Sequence, residues 1–146
     1  MAGNKTNETF NFELVSPEQK LMSREVAKVV IPGEEGDFGV LANHASLVAT
    51  VRPGIVLVYE QMDSAPMKIF VAGGFADVSA ANCTLLAEEA APVEDLNQSE
   101  LQAQLTELNN TIEKTEDKGD KARLYKQQQI VTAKLDAISS PQAQVA

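Results

Sequence analysis

The stretch PGEEGDFGVLANHASLV, residues 32–48, decides the fold because it places turn signals and short apolar runs side by side. Its glycines at positions 33, 36 and 39 permit tight turns, so only short strands fit between them. The runs GVL and SLVATV lie on either side of His44 and have strand length. Phe38 and Val40 are expected to anchor this loop in a core. The pattern predicts β-structure with a short, rigid turn.

Three carboxylates of the same stretch are predicted to project outward. Glu34, Glu35 and Asp37 lie between the glycines, and we call these three residues the acidic rim. The spacing G-x-x-G-x-x-G is not that of a phosphate-binding loop, and the stretch from 32 to 51 carries no Lys or Arg. The acidic rim could hold a hard cation, but it lacks the D-x-D-x-D-G pattern of a calcium loop. A surface for a basic or polar protein partner therefore fits best.

The chain has few residues of the types that enzymes use for catalysis. It contains one histidine and one cysteine, His44 and Cys83, and no nucleophile–base spacing. His44 is interpreted as a polar residue at the end of the β-structure, hydrogen-bonded to its loop, although it could titrate near neutral pH. Cys83 is expected to be a small buried hydrophobe. We predict no catalytic residue, no metal site and no cofactor.

Outward from this stretch, residues 9 to 90 carry the two-residue period of half-buried strands. In FNFELV, Phe10, Phe12 and Leu14 alternate with polar residues. Further strands are predicted within 24–32, 52–60, 67–80 and 82–89, split by Gly, Pro and Asn. Short strands every 8 to 12 residues indicate a β-sandwich or a small barrel. Sequential strands with no helix between them argue against a parallel nucleotide-binding sheet.

After Pro92 the period changes to that of helices. The first helix shows apolar residues at spacings of four, three and four, and the second repeats a four-three pattern. These residues are Leu101, Leu105, Leu108 and Ile112 in the first helix, and Leu124, Gln128, Val131, Leu135 and Ile138 in the second. Asn97 is predicted to cap the first helix, with Glu100 completing a capping box. Residues 113–122 are predicted to form a polar turn around Gly119.

The predicted fold class is therefore a β-sandwich N-terminal domain followed by a C-terminal antiparallel two-helix hairpin. The predicted domains are residues 1–92 and residues 93–146, the latter ending in a disordered tail. The seam between the helices is thin, and each ordered residue costs ~1–2 kcal/mol of backbone entropy. The hairpin should depend on docking against something. It could be a mobile element or a permanent helical cap on the sandwich.

Composition excludes several classes of partner. The chain of 146 residues has a formal net charge of -9, which disfavours binding to nucleic acid or to an anionic membrane. No apolar run approaches the roughly 18 residues of a membrane span, so we predict no direct membrane insertion. The polar start MAGNKTNETF lacks the apolar segment of a signal peptide. We expect a cytosolic protein or one peripheral to a membrane complex.

The run from Ser16 to Val58 resembles the N-terminal domain of the ε subunit of F-type ATP synthases. That family shows an early Ser-Pro pair and the pattern P-G-x-x-G-x-[FL]-G-[VI]-L-x-x-H-x-x-L, followed by Pro-Gly before a strand. The matching residues are Ser16-Pro17, Pro32-Gly33, Gly36, Phe38-Gly39-Val40-Leu41, His44, Leu47 and Pro53-Gly54. The later run VAGGFADVSAANCTLLAEEA matches as well. The resemblance covers roughly residues 9 to 140.

The resemblance implies a non-catalytic rotor subunit in the central stalk of a proton-translocating ATP synthase. Its sandwich would clasp the γ subunit and rest on the polar loops of the c-ring, on the cytoplasmic face of a bacterial inner membrane. The loop with Asp37 would face the c-ring, and the loop around His44 would lie near γ. Ser16 is taken as a further interface residue. The hairpin would be able to reach the α and β catalytic subunits and regulate ATP hydrolysis weakly.

Departures from the family pattern weaken two roles of the hairpin, inhibition of ATP hydrolysis and sensing of ATP. Members that bind ATP on the folded hairpin begin the first helix with [IL]-D-x-x-R-A. This chain has Asn97, Glu100 and Leu101 where that pattern has Asp, Arg and Ala. The tail from 93 to 146 also has more acidic than basic residues, whereas an arm that grips acidic catalytic subunits would be basic. We predict that ATP is not bound.

Two alternatives remain from the residues themselves. A free-standing chaperone or adaptor could combine a β platform with a helical hairpin. Co-purification would separate it from a rotor subunit, because a rotor subunit should be recovered with γ, α and β subunits. An enzyme is the third and least supported class.

Overall fold

The computed structural model describes residues 8–140 of the chain. The predicted disordered end of the tail lies outside these described residues. The strands are β1 (Phe10–Val15), β2 (Lys20–Val26), β3 (Lys28–Gly33), β4 (Gly36–Leu41), β5 (Leu47–Thr50), β6 (Gly54–Tyr59), β7 (Met67–Ala72), β8 (Phe75–Val78), β9 (Asn82–Leu86) and β10 (Glu89–Pro92). A short 3-10 helix at Val93–Asp95 leads to α1 (Gln98–Lys114) and α2 (Lys118–Ser139).

The strands form two five-stranded sheets packed face to face. The first sheet has the order β2-β1-β9-β8-β5, and the second has the order β10-β7-β6-β3-β4. Neighbouring strands are antiparallel except for β1 and β9, which are parallel. The predicted fold class, a β-sandwich followed by a two-helix hairpin, is confirmed.

The core lies between the two sheets and follows the alternation in the sequence. Phe10, Phe12 and Leu14 are buried along β1, and the residues between them are half-buried. Cys83 on β9 is fully buried, as expected, and desolvation raises the pKa of its thiol to about 12, with a further contribution from Asp77. Val40 is buried and Phe38 packs against the same core, so the predicted anchors of the 32–48 stretch are confirmed.

Several strand boundaries differ from the prediction, and two of these differences change the topology. Residues 24–32 do not form one strand, because the chain bends at Ala27 and passes from β2 in the first sheet to β3 in the second. The backbone N–H of Ala27 donates to the carbonyl of Tyr59, which fixes this crossing. The predicted series also missed β10, whose Ala90-Ala91-Pro92 run has a weak strand preference. Pairing with β7 at the sheet edge overrides that preference.

The helical hairpin has the predicted start but a shorter turn. The side-chain oxygen of Asn97 accepts the backbone N–H of Glu100 at 3.1 Å, which confirms the cap. The predicted polar turn over 113–122 is wrong, because α2 already begins at Lys118 and includes Gly119. Asp117 caps α2 by accepting the N–H of Asp120 at 2.9 Å. The Asp117 cap stabilises the helix by about as much as Gly119 destabilises it, ~1 kcal/mol, so α2 can begin before the glycine.

The hairpin lies against the outer face of the second sheet, and α2 makes that contact. Ala137 is buried in a cluster with sheet residues, and Ile130 and Ala133 pack beside it. The sheet side of the cluster consists of Val30, Ile55, Leu57, Tyr59, Phe70 and Ala72. On α2, Val131 is buried, and the other residues of the predicted seam are half-buried. The structure therefore shows the hairpin as a docked cap. Ile130, Ala133 and Ala137 hold it to the sheet and form a second stripe on α2, separate from the predicted seam.

Two lysines of α2 add charged contacts to this docking. Lys126 pairs with Glu88 at 3.6 Å, and both side chains are mostly exposed. Lys134 pairs with Glu89, lies 5.9 Å from the ring centre of Phe70 and is only 18% exposed.

Neither helix of the described chain combines the length and apolarity that crossing a bilayer requires.

Candidate interaction surfaces

The acidic rim forms the tip of the β3–β4 hairpin. Glu34 and Glu35 are the two turn residues, and both side chains are exposed. Gly36 follows with φ of 130°, a backbone conformation that disfavours any side chain, so this glycine lets the turn close in two residues. Among the described residues, neither Glu34 nor Glu35 has an ion-pair partner within 4 Å. These two carboxylates are therefore available to a partner.

Asp37 differs from the other two rim residues. Its Oδ1 accepts a hydrogen bond from Nη2 of Arg52 at 2.5 Å, and Nη1 of Arg52 donates to the carbonyl of Gly33 at 2.5 Å. Asp37 is exposed, as predicted for all three rim residues, but its charge is already paired with Arg52. Sequence reasoning stopped at residue 51 and missed Arg52. The Arg-Pro-Gly turn that contains it was the available signal.

His44 lies in the connection between β4 and β5. Its backbone N–H donates to the carbonyl of Leu41 at 3.2 Å, and its Nδ1 is 2.6 Å from the carbonyl oxygen of Ala45. The interpretation of His44 as a loop-bonded polar residue at the end of the sandwich is confirmed. Asp37 and His44 are separated by the part of β4 from Asp37 to Leu41, a length of roughly 14 Å at ~3.4 Å per residue. The two residues therefore do not form one site.

Ser16 lies at the same end of the sandwich as the acidic rim. It follows β1, and its hydroxyl is 3.2 Å from the carbonyl oxygen and 3.3 Å from the backbone N of Gln19. These contacts close the turn between β1 and β2. Ser16 and His44 thus border opposite ends of the first sheet, since β1 and β5 both belong to it.

The outer face of the first sheet carries apolar side chains with no cover among the described residues. Strand pairing places Val15 beside Leu86 and Leu86 beside Phe75, so the three form a row across β1, β9 and β8. Phe75 is 44% exposed, and Val48 on β5 is 68% exposed. We call Val15, Val48, Phe75 and Leu86 the apolar stripe. Sequence reasoning missed it, although Phe75 takes the outward position in the alternation of FADV.

The start of α1 shows how this chain uses the positions where ATP-binding relatives carry their motif. Asn97 uses its side-chain oxygen to cap the helix, and Glu100 is exposed beside it. Arg123 on α2, a candidate cation for such a site, pairs with Asp120 at 2.6 Å in its own helix. A cleft of about 410 Å³ beside the two helices is lined by the carboxylates of Glu89 and Glu107 and by Lys134, which is paired with Glu89. Arg123 and Lys134 are both already paired with carboxylates, which agrees with the prediction that a triphosphate is not bound.

Comparisons with known proteins agree with this architecture. Residues 9–93 match the family model of the ATP synthase delta/epsilon chain, β-sandwich domain. An ATP synthase epsilon chain from Rhodospirillum centenum is 45% identical over 135 residues, which cover 90% of this chain and 92% of that protein. One from Rhizobium rhizogenes is 46% identical over 117 residues, covering 80% of this chain and 86% of that protein.

A solved structure shares the fold. The match is a chain in the mitochondrial ATP synthase of Euglena gracilis, determined as an assembly of OSCP, F1 and the c-ring. It gives a TM-score of 0.73 at 24% identity and covers 86% of this chain and 78% of that chain. Together with the family model and the curated relatives, the β-sandwich and its hairpin lead to one conclusion: the chain belongs to the family of ATP synthase epsilon chains, which are non-catalytic subunits of that enzyme.

Proposed function

We propose that this chain is a rotor subunit of the central stalk, which joins the c-ring of a proton-translocating ATP synthase to the γ subunit. The observation that carries the proposal is the contrast between the two outer faces of the sandwich. The second sheet is covered by α2, while the apolar stripe leaves the first sheet uncovered within the described chain. A soluble domain seldom exposes grouped large apolar side chains unless a partner covers them.

The apolar stripe fits the γ subunit as its partner. Phe75 is an aromatic anchor of the kind that dominates interface energetics, and Leu86 and then Val15 continue its row across β9 and β1. His44 and Ser16 border this sheet at its two ends, so an interface across the sheet would reach both. This arrangement supports the interpretation of His44 as a residue near γ and of Ser16 as a further interface residue.

The acidic rim fits the polar loops of the c-ring. Glu34 and Glu35 project from a short turn at one end of the sandwich, and a basic residue in a c-ring loop would complement them. Asp37 contributes less charge because Arg52 already neutralises it. In this arrangement the chain is peripheral to the membrane, on the cytoplasmic face of a bacterial inner membrane.

The two regions divide the work in this proposal. Residues 1–92 carry assembly, since the apolar stripe and the acidic rim both lie within them. Residues 93–146 form a regulatory element that can leave the sandwich and contact the α and β subunits. The docking surface of α2 is built partly from the small residues Ala133 and Ala137, which bury little area, so separation costs little.

The test of the γ interface is Phe75→Glu in the full chain, with γ recovered by pull-down. A carboxylate in the centre of an apolar interface should reduce recovery at least tenfold, because the charge would be desolvated without a partner. Tyr125→Glu on α2 is the matched control, since Tyr125 is 47% exposed and Phe75 is 44% exposed. Equal recovery of γ by the two variants would refute this interface.

The test of the c-ring interface is the double reversal Glu34→Lys and Glu35→Lys, which leaves Arg52 and Asp37 in place. Retention of the catalytic sector on membranes and proton-driven ATP synthesis should both fall, by a few-fold only. Exposed charge pairs contribute ~0.2–1 kcal/mol each. Glu113→Lys with Glu116→Lys, near the hairpin turn, is the charge-matched control. The same loss in the control would show that net charge matters and the acidic rim does not.

A further inference from the structure

The acidic rim is not a free hairpin tip, because it is bonded to the chain between β5 and β6. The backbone N–H of Glu34 donates to the carbonyl of Thr50 at 2.9 Å, and the N–H of Arg52 donates to the carbonyl of Pro32 at 2.9 Å. Gly33 and Val51 form an isolated antiparallel bridge between these hydrogen bonds. The backbone of residues 32–34, on the β3 side of the turn, is thus paired with residues 50–52.

These bonds connect the two sheets of the sandwich. Thr50 is the last residue of β5, at the edge of the first sheet, whereas Pro32 and Gly33 end β3 in the second sheet. Core side chains pack the faces of the two sheets together, and at this end of the molecule backbone hydrogen bonds add a direct contact between them. The rim is therefore attached directly to both sheets at this end of the molecule.

The side chain of Arg52 closes this junction from outside. One nitrogen of its planar guanidinium binds the carbonyl of Gly33, and another binds the carboxylate of Asp37, which follows the turn. A guanidinium can hold two acceptors in a fixed arrangement, whereas a lysine ammonium acts as a point charge without that fork. The space at the turn is also tight, because a Cβ on Gly33 would lie 2.7 Å from the carbonyl oxygen of Gly36.

We propose that Arg52 is a positioning residue that fastens the acidic rim to the first sheet, so that a load at the rim passes to that sheet instead of bending the β3–β4 hairpin. The fastening itself is a property of the isolated chain. Its use rests on the proposed function, in which the rim meets the c-ring and the first sheet meets γ. Arg52 then belongs to the path by which rotation is transmitted from the c-ring to γ, although it takes no part in catalysis.

The test is amide hydrogen exchange in the full chain, read at Glu34 and at core amides of β1. Arg52→Ala should speed exchange at Glu34 at least tenfold and leave exchange in β1 unchanged. The exchange rate at Glu34 in Arg52→Lys should lie between those of the natural chain and Arg52→Ala. Arg24→Ala is the control, because it removes an ion pair of similar exposure, Arg24 with Glu60 at 3.0 Å, at the other edge of the first sheet. It should not affect Glu34.

Unchanged exchange at Glu34 in Arg52→Ala would overturn the fastening, as would a rise spread evenly over both sheets. A second measurement tests the load in the assembled enzyme: Arg52→Ala should lower ATP synthesis per proton translocated more than it lowers retention on membranes. Equal losses would remove the role in transmission. Loss of γ recognition in the pull-down would be a separate failure of the proposed function, and the exchange result would still stand.

Discussion

The sandwich and the hairpin differ in how each is held together. The side chains that are almost completely buried all belong to the sandwich, from Phe12 to Leu85. The hairpin buries Leu101, Ile112, Val131 and Ala137, each still slightly accessible, and part of that burial is against the sheet. The sandwich has its own core, whereas the hairpin buries part of its apolar surface against the second sheet. This difference explains how a rigid rotor element and a releasable one can share a single short chain.

The contact between the two regions has the composition of a reversible interface. On α2 it consists of two alanines, one isoleucine and the stem of Lys134, which together offer much less apolar area than the face of the sheet beneath them. Most of the stability of helices in proteins comes from packing of one face, so α1 and α2 gain order mainly by packing. We expect disturbances of the sandwich to unfold the whole chain and disturbances of the hairpin to remain local.

The largest expected effect is in the sandwich core. Phe12→Ala should lower the free energy of unfolding by about 3–5 kcal/mol, because the ring is fully buried and the sheets cannot close the cavity. Val131→Ala should cost only about 1.5 kcal/mol, at ~0.8 kcal/mol per methylene, and only in the hairpin. Denaturant unfolding followed separately in the two regions measures both. A single shared transition with equal losses would contradict the comparison.

Alkaline pH should act on the sandwich through Cys83. Burial raises the thiol pKa to about 12 from an ordinary value of 9.0, so the unfolded chain loses this proton first as pH rises. The contribution is complete below pH 9 and is lost as pH rises from there towards 12, by at most about 1.4 kcal/mol per pH unit. Denaturant unfolding of the natural chain and of Cys83→Ala between pH 8 and 10.5 should show a steeper decline for the natural chain.

The thiol also reports which region opens. Cys83 lies on β9 between the sheets, so native alkylation at pH 8 should be slow and should remain slow when the hairpin is removed. Rapid alkylation of the shortened chain would show that the hairpin holds the sandwich closed, and the proposed independence of residues 1–92 would fail.

Removal of the hairpin is the direct test of that independence. A chain ending at Pro92 should unfold cooperatively and should still bind γ, because the core and the apolar stripe both remain. Its free energy of unfolding should fall by no more than about 2 kcal/mol, a small part of the ~5–15 kcal/mol of a typical domain. Circular dichroism with thermal unfolding and the γ pull-down measure both properties. A folded chain that no longer binds γ would contradict the assignment of assembly to this region.

Lys134 should contribute a smaller amount, confined to docking. Lys134→Ala removes the pair with Glu89, the contact with Phe70 and the packing of the stem, so docking of α2 should weaken by about 1 kcal/mol. Lys126→Ala is the control, since its pair with Glu88 is exposed and should contribute less than about 0.5 kcal/mol. Hydrogen exchange of α2 with unchanged exchange in β1 is the readout. An effect of Lys126 equal to that of Lys134 would show that exposure does not matter here.

Local patterns in the sequence predicted local features of both regions. The alternation of Phe10, Phe12 and Leu14 predicted β1, and Asn97 predicted the start of α1, because each depends on residues close in the chain. The apolar stripe depends on Val15 and Leu86 meeting through strand pairing, across 71 residues of chain. Arg52 contacts Asp37 only because the end of β5 lies beside the β3–β4 turn in the folded chain. The second stripe of α2 was hidden because alanines carry little hydrophobic signal until a sheet lies beneath them.

The smallest expected effect concerns nucleotide, and we expect none. A triphosphate needs a fixed cation near its phosphates, and arginine supplies two donors in one plane. Glu100 stands where ATP-binding relatives carry that arginine, so the local charge moves by two units towards repulsion. Asn97 is already used as the helix cap, and Arg123 is paired with Asp120.

Calorimetry of the full chain with Mg-ATP should therefore show no binding at millimolar concentration, and hairpin docking should not respond to ATP. The variant Glu100→Arg with Asn97→Asp provides the matched comparison, because it restores the charge pattern of the ATP-binding relatives. Saturable micromolar binding by the natural chain, lost in Arg123→Ala, would contradict the prediction. That result would mean that Arg123 leaves Asp120 to serve the phosphates, and the hairpin would then be a nucleotide sensor as well as a releasable cap.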